Sequence, residues 1–422
     1  MPNGTLSVHF INVGQSVSTL IIGPTGETML IDTGHFQDDG EWVLQYLKRH
    51  NITRLDHLVI THNDADHIGG NAAIIEYYET QADGIGAIYD PGIAASTQTY
   101  EAYLDAVEQH DVTLYETRAG DRIPFAGARI SVLGPPDPYI ENAARNENSI
   151  VLKLTFGETS FLFTGDAEDD QEAQLVAEYG QRLNVTVLKA GHHGSKTSTG
   201  TALLAAAAPK SVVISSAYDS QYGHPHEAVL QRLGSTPTFW TATHGHIVLR
   251  SDGQQVSVYT QQSAPTNPMQ LRDSDPVPLG TTDPVERRAV FRGTTSPSTT
   301  ASGTIVTDGG STADGLAVTT VHADAQGVEA ENLNDEYIVL TNTGTQTIDL
   351  SGYVITDAAG HTYTVPDGVT LAPDATLTLH TGSGTDTETD LYWGSESPIW
   401  NNDGDTITVT APDGTVILEE SY

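Results

Sequence analysis

Between residues 5 and 262, short apolar runs of strand length alternate with longer runs whose apolar residues recur at helical spacing, and this interleaving constrains the fold most. Strand-like segments lie at 6–12, 19–22, 28–32, 57–60, 150–156, 160–165, 185–190, 211–216, 246–250 and 256–260, with helix-like segments at 41–50, 71–79, 100–110, 172–180 and 226–233 between them. Such alternation predicts an α/β domain in which helices cover sheets. Residues 263–312 lose the pattern and are rich in Pro, Ser, Thr and Gly, the composition of a linker. From 313 to 422 short alternating strands return between turn residues, which predicts a small all-β sandwich.

Charge and cysteine content narrow the chemistry. The chain carries 18 Lys and Arg against 55 Asp and Glu, a net charge of −37, and has no cysteine. Any bound metal must therefore sit on His, Asp, Glu or Asn. The acidic residues are scattered among apolar ones, and only five lysines stand beside 13 arginines, so the charge is read as adaptation to high salt rather than as disorder. A chain of this sign offers no basic nucleic-acid-binding face. No run reaches membrane-span length, and Met1–Gly4 lacks the features of a secretory signal; the expected location is cytoplasmic, with export by another route left open.

The strongest chemical signal is Thr61-His62-Asn63-Asp64-Ala65-Asp66-His67-Ile68-Gly69-Gly70, directly after an apolar strand. Four potential ligands within six residues converge if the turn is tight, which Ala65 and the glycines permit. Other strand ends carry the same chemistry: Asp32 follows MLI, Asp166 follows FLFTG, and His192-His193-Gly194-Ser195 follows LKAG. Tyr222-Gly223-His224-Pro225-His226 then precedes a helix. In α/β folds, sites gather at the carboxyl ends of strands.

These ordered motifs resemble the metallo-β-lactamase fold superfamily. HFINVGQ at 9–15, NENSIVLKL at 146–154, LKAGHHGSKTS at 188–198 and YGHPHEAVLQRL at 222–233 narrow the resemblance to the soluble hydrolase domain of ComEC-type competence proteins over about residues 5–262. The resemblance implies an αββα sandwich with a metal site at one edge and a nuclease or phosphodiesterase activity. It assigns one divalent metal, Zn or Mn, to His62 and Asp64, and a second to Asp66, His67 and His192, with Asp166 bridging and Asp32 orienting the cluster. His192 is the expected ligand of its pair, being nearer the strand end; His193 is kept as an alternative. Such a metal pair supplies hydroxide for attack on a phosphodiester. His224 is expected to contact a phosphate or protonate the leaving oxygen, and Lys196 to lie near the phosphate; His226 is read as helix-capping.

Three departures from the family pattern stand out. Asp64 occupies the place of a usual histidine, which shifts the first site towards Mn. Asn148 stands where many members carry a histidine, as a weak neutral ligand. Gly14-Gln15-Ser16-Val17-Ser18 lacks the branch's acidic residue. His9, His35, His50, His57, His110, His244 and His246 are read as structural or surface residues, His35 being the closest to a motif.

The last segment resembles the lamin tail domain, an immunoglobulin-like sandwich, through Glu336-Tyr337, Asn342, Leu350-Ser351-Gly352-Tyr353, Leu371-Ala372-Pro373 and the turn at 400–405. Trp393 and Trp400 are expected in or beside its core, and Asp403 and Asp405 in a strand-joining turn. This module is expected to bind a protein or envelope partner and bring the hydrolase to nucleic acid. Two other functions stay open: a same-fold hydrolase of a small ester or lactone, and a binding protein with a vestigial metal site.

Overall fold

A computed structural model describes residues 4–35, 37–140 and 144–293, and between 316 and 421 all but 324, 326–331, 343–345, 373–374, 388, 396, 402–404 and 413. The chain divides into two compact units, Met1–Thr300 and Ala301–Tyr422.

The first unit builds its sheets in chain order. Strands β1 (Leu6–Phe10), β2 (Thr19–Ile22), β3 (Thr28–Ile31), β4 (Leu55–Val59), β5 (Ile85–Asp90) and β6 (Leu114–Glu116) lie side by side in one sheet. Strands β7 (Arg129–Gly134), β8 (Val151–Phe156), β9 (Thr159–Phe163), β10 (Val187–Lys189), β11 (Ser211–Ile214) and β12 (Thr238–Trp240) form a second, six-stranded sheet. The chain then returns to the first sheet, where β13 (Ile247–Ser251) pairs with β1 and is followed outward by β14 (Gln255–Thr260) and β15 (Glu286–Arg292).

Helices cover the outer faces because the strands are apolar on both sides. Between the sheets lie Val8, Phe10, Ile21, Leu154, Phe161 and Phe163, all buried. Helices α1 (Glu41–Arg49), α2 (Asn71–Gln81) and α3 (Gln98–His110) pack Leu47, Ile74, Tyr78 and Tyr103 against the far side of the first sheet. On the second, α4 (Asp169–Tyr179), α5 (Thr201–Ala207) and α6 (Glu227–Leu233) bury Leu175, Leu203 and Leu230. The result is the expected αββα sandwich.

One boundary is corrected. Residues 263–293 are not linker: Leu271 and Val277 are buried, and β15 extends the first sheet as its edge strand. Its charged residues disguise it, because an edge strand can expose Arg287 and Arg292 while Ala289 and Phe291 pack against the core. The rest of the expected linker, 294–312, lies outside the described residues.

Among the described residues, the second unit forms two four-stranded sheets and a two-stranded pair. Its core holds Ile338, Leu340, Ile355, Leu377, Ile407 and Val409, with Trp400 buried and Trp393 packed against it. The conspicuous polar residues are explained by backbone satisfaction. Buried Glu336 accepts from the Ile399 and Trp400 amides, and Asn342 donates to the Gln346 and Leu371 carbonyls. Asp405 accepts from the Ala358 and Asn401 amides, which fits a turn; Asp403 and Pro373 lie outside the described residues. Among the described residues no helix is long and apolar enough to cross a membrane.

Candidate metal centre

The site forms where parallel strands from both sheets end. Pairs β3–β4 and β9–β10–β11 are parallel, so their carboxyl ends lie along one edge of the sandwich. The loops there meet closely: a Cβ on Gly165, at φ 54°, would stand 2.8 Å from Ser149 and 2.9 Å from Thr61. Only glycine fits that approach and that backbone conformation.

Each histidine of the cluster is fixed through Nδ1. Fully buried Asp32 accepts from the Thr61 amide (2.8 Å), the Thr61 hydroxyl (2.8 Å) and His67 Nδ1 (2.7 Å). The Thr61 hydroxyl in turn accepts from His62 Nδ1 (3.2 Å), and the Ser215 carbonyl accepts from His193 Nδ1 (3.1 Å). A donating Nδ1 leaves the lone pair on Nε2, the arrangement a metal-binding imidazole needs.

The three Nε2 atoms converge. His67 Nε2 lies 3.2 Å from Asp166 Oδ2, and His193 Nε2 lies 3.1 Å from Asp66 Oδ2 and 3.4 Å from Asp166 Oδ2. Two ligand groups result, His62–His67–Asp166 and Asp66–His67–His193, each with its donor atoms within 4.8 Å of one another. The Nε2 atoms of His62, His67 and His193, and Asp166 Oδ1, are buried without a hydrogen-bond partner. Lone pairs facing carboxylates in a dry site need a positive charge between them, so these residues fit divalent cations.

The carboxylates of the cluster favour positive charge between them and the histidines. Burial pushes His67 and His193 down, but Asp166, with Asp32 for His67 and Asp66 for His193, outweighs it; His67 is raised well above its ordinary value and His193 to about 9. Burial raises Asp166, yet His67 and His193 hold it well below the usual carboxylate range.

Other expected residues fall differently. His192, the expected ligand of its pair, stands outside both groups: its side chain is partly exposed, Nδ1 meets Glu168 Oε1 at 2.9 Å, and Nε2 stays 3.8 Å from Asp166. The cause is local, since His192 and His193 both have positive φ, 46° and 55°, and the chain curls so that the second residue turns inward. Asp64 sits 3.6 Å from His62 Nε2 but pairs with Arg145, outside both ligand groups. The Asn148 amide is taken up by the backbone, bonding the Ile140 amide and carbonyl and the Ala144 carbonyl.

Beside the cluster, Gln15 donates to His224 Nδ1 (3.3 Å), and the His224 ring lies 6.0 Å from that of His193 at 11°. Burial, then His193 and His192, lower His224 to about 4, so it stands as a neutral imidazole. His226 occupies the N-cap position of α6 but its side chain caps no helix amide; its Nδ1 accepts instead from the amide of exposed Lys196. Val17 is buried in the position of the missing acid. The remaining histidines take structural partners, among them Tyr46 for His9, Glu27 for His57 and Glu76 for His110. His35 turns its Nδ1 to the Gln37 amide.

Sequence reasoning missed Lys189, Arg145, Glu168 and the contact made by Gln15. Lys189 is buried behind the cluster and donates to the Gly165 and Ala190 carbonyls. A lysine inside an apolar strand next to a ligand loop was its one available signal.

Residues 11–217 match the model of the metallo-beta-lactamase superfamily. This region is a metallo-beta-lactamase domain. Residues 310–422 match the lamin tail domain, so the chain joins the two. The metallo-beta-lactamase domain is similar to ComE operon protein 3 of Bacillus subtilis, 32% identical over 58% of this chain and 32% of that protein. Competence protein ComA of Neisseria gonorrhoeae is 32% identical over 60% of this chain and 32% of its own length. The chain thus spans about a third of the curated relatives it matches. Among solved structures, the metallo-beta-lactamase fold protein YhfI from Bacillus subtilis aligns at TM-score 0.37 and 11% identity, over 54% of this chain and 92% of that one. His224 lies beyond the residues that the family model matches.

Proposed function

We propose that the metallo-beta-lactamase domain is a two-metal phosphodiesterase acting on nucleic acid. The observation that carries this reading is the set of three buried, unpartnered Nε2 atoms facing Asp66 and Asp166. When bound, two divalent cations, Zn or Mn, supply Lewis-acid polarisation and a water of lowered pKa. His62, His67, His193, Asp66 and Asp166 would hold them, with Asp166 Oδ2 lying close to both His67 and His193. Asp32 fixes the tautomer and orientation of His67. His224, held by Gln15, faces the substrate side, where it hydrogen-bonds a substrate oxygen.

Nucleic acid is favoured over other esters because one curated relative is named a competence protein and another a recombination protein. The lamin tail domain, without Lys or Arg after Arg292, serves to bind a partner rather than phosphates. The test is metal content by mass spectrometry combined with hydrolysis of single- and double-stranded DNA under Mn²⁺ or Zn²⁺. About two metals per chain and cleavage lost in Asp66→Ala/His67→Ala, with circular dichroism unchanged, are expected. Two metals without cleavage of any phosphodiester would move the substrate to another ester, and no metal with no activity would leave a binding protein.

A further inference from the structure

The geometry points to Tyr222 as a base-stacking platform, so that the substrate of this centre is single-stranded nucleic acid; this rests on the phosphodiesterase reading. Tyr222 is 58% exposed. A scattered surface aromatic is ordinary, but this one ends a row of rings leading out of the metal centre. The His193 ring, inside the ligand cluster, lies 6.0 Å from His224 at 11°, and His224 lies 5.7 Å from Tyr222 at 32°. The roughly aligned planes leave the outer face of Tyr222 as the next step of the row.

The loop that presents the ring is fixed. Arg272 donates to the Tyr218 carbonyl (2.7 Å) and the His224 carbonyl (3.2 Å), and its guanidinium lies 4.9 Å from the Trp240 ring. The Tyr222 amide bonds Ser220 Oγ, and the Gly223 amide bonds the Ser220 carbonyl. A side chain on a preorganised lip loses less freedom on binding. Across the same rim, His226 connects Tyr222's neighbour His224 (4.9 Å between rings) to the backbone of exposed Lys196.

Chemistry selects the ligand. With a net charge of −37, this chain cannot gain affinity from a dense basic track, the usual route to duplex DNA. Stacking needs no charge, accepts any base and contributes about 1–3 kcal/mol per base. It requires an unstacked base, which a single strand offers and a duplex conceals. One ring, that of His224, separates Tyr222 from His193, so the stacked base belongs to a nucleotide adjacent to the scissile phosphate.

The experiment is fluorescence anisotropy of the full chain in EDTA, where turnover is blocked, with a labelled single-stranded oligonucleotide, its abasic counterpart of equal length and a duplex. The wild type is expected to bind the base-bearing strand about 5- to 150-fold more tightly than the abasic one. Tyr222→Ala should erase that difference, Tyr222→Phe should keep it, and duplex binding should be the same in all three. Equal wild-type affinity for base-bearing and abasic strands, or a difference that survives Tyr222→Ala, would overturn the proposal. Absence of DNA cleavage by the metal-loaded wild type would instead sink the phosphodiesterase reading, while the binding comparison still decides the role of Tyr222.

Discussion

The two ends of the metal centre are furnished unequally. Around His193, Asp66 and Asp166 approach Nε2, and the Ser215 carbonyl holds the other nitrogen. Around His62, the neighbouring carboxylate Asp64 is drawn off by Arg145, and Asn148 is occupied in closing its own loop. Residues of the right type at the right spacing are therefore not enough; a ligand must also be free of competing partners. The difference teaches that one cation should be held tightly and the other loosely, although both groups share His67.

Several experiments would break or sharpen this contrast. The largest effect is expected from Asp66→Ala, which should remove the tightly held metal and reduce hydrolysis to background, whereas Asp64→Ala should keep that metal. Equal losses in the two variants, read by metal content and DNA cleavage, would erase the asymmetry. Asp32→Asn comes next: His67 loses its anchoring acceptor, and metal affinity should fall about 10- to 100-fold at both ends, as isothermal titration would show.

Arg145→Ala should act in the opposite direction. Burial raises Asp64, but His62 and Arg145 together bring it down to about 2. Removing the guanidinium frees an ionised carboxylate beside His62, so the loose cation should bind more tightly, by up to about tenfold; weaker binding would show that the arginine supports the site. The smallest effect lies away from the centre. His9 and His246 are buried, and burial first, then nearby cations and His50, lowers each to about 3. Their unfolded pKa is near 6.5, so below that value the unfolded chain binds protons that the folded one refuses. Stability should fall progressively between about pH 6.5 and 3, and thermal melts of metal-loaded His246→Gln should show a shallower slope than the wild type.

Much of this was legible in the sequence. The interleaved periodicities specify the αββα layers, and Asp or His at successive strand ends marks the edge where a centre could form. Strand β15 was hidden because an edge strand need not alternate cleanly, and its arginines read as solvent-exposed coil. Strand β5, with Gly86 inside it, and the alanine-rich α5 were likewise too short or too weakly patterned to register.

What the sequence determined by itself is the inventory: which residue types arrive at the edge, and in what order. These depend on local periodicity and on turns of a few residues, which neighbouring side chains set. Only the tertiary structure decided which members of that inventory converge on one another. His193 replaces His192 because two successive positive-φ residues reverse the side-chain directions, and Arg145 reaches Asp64 across 81 positions of chain. Directions and long-range partners arise when both sheets pack, and no local spacing encodes them.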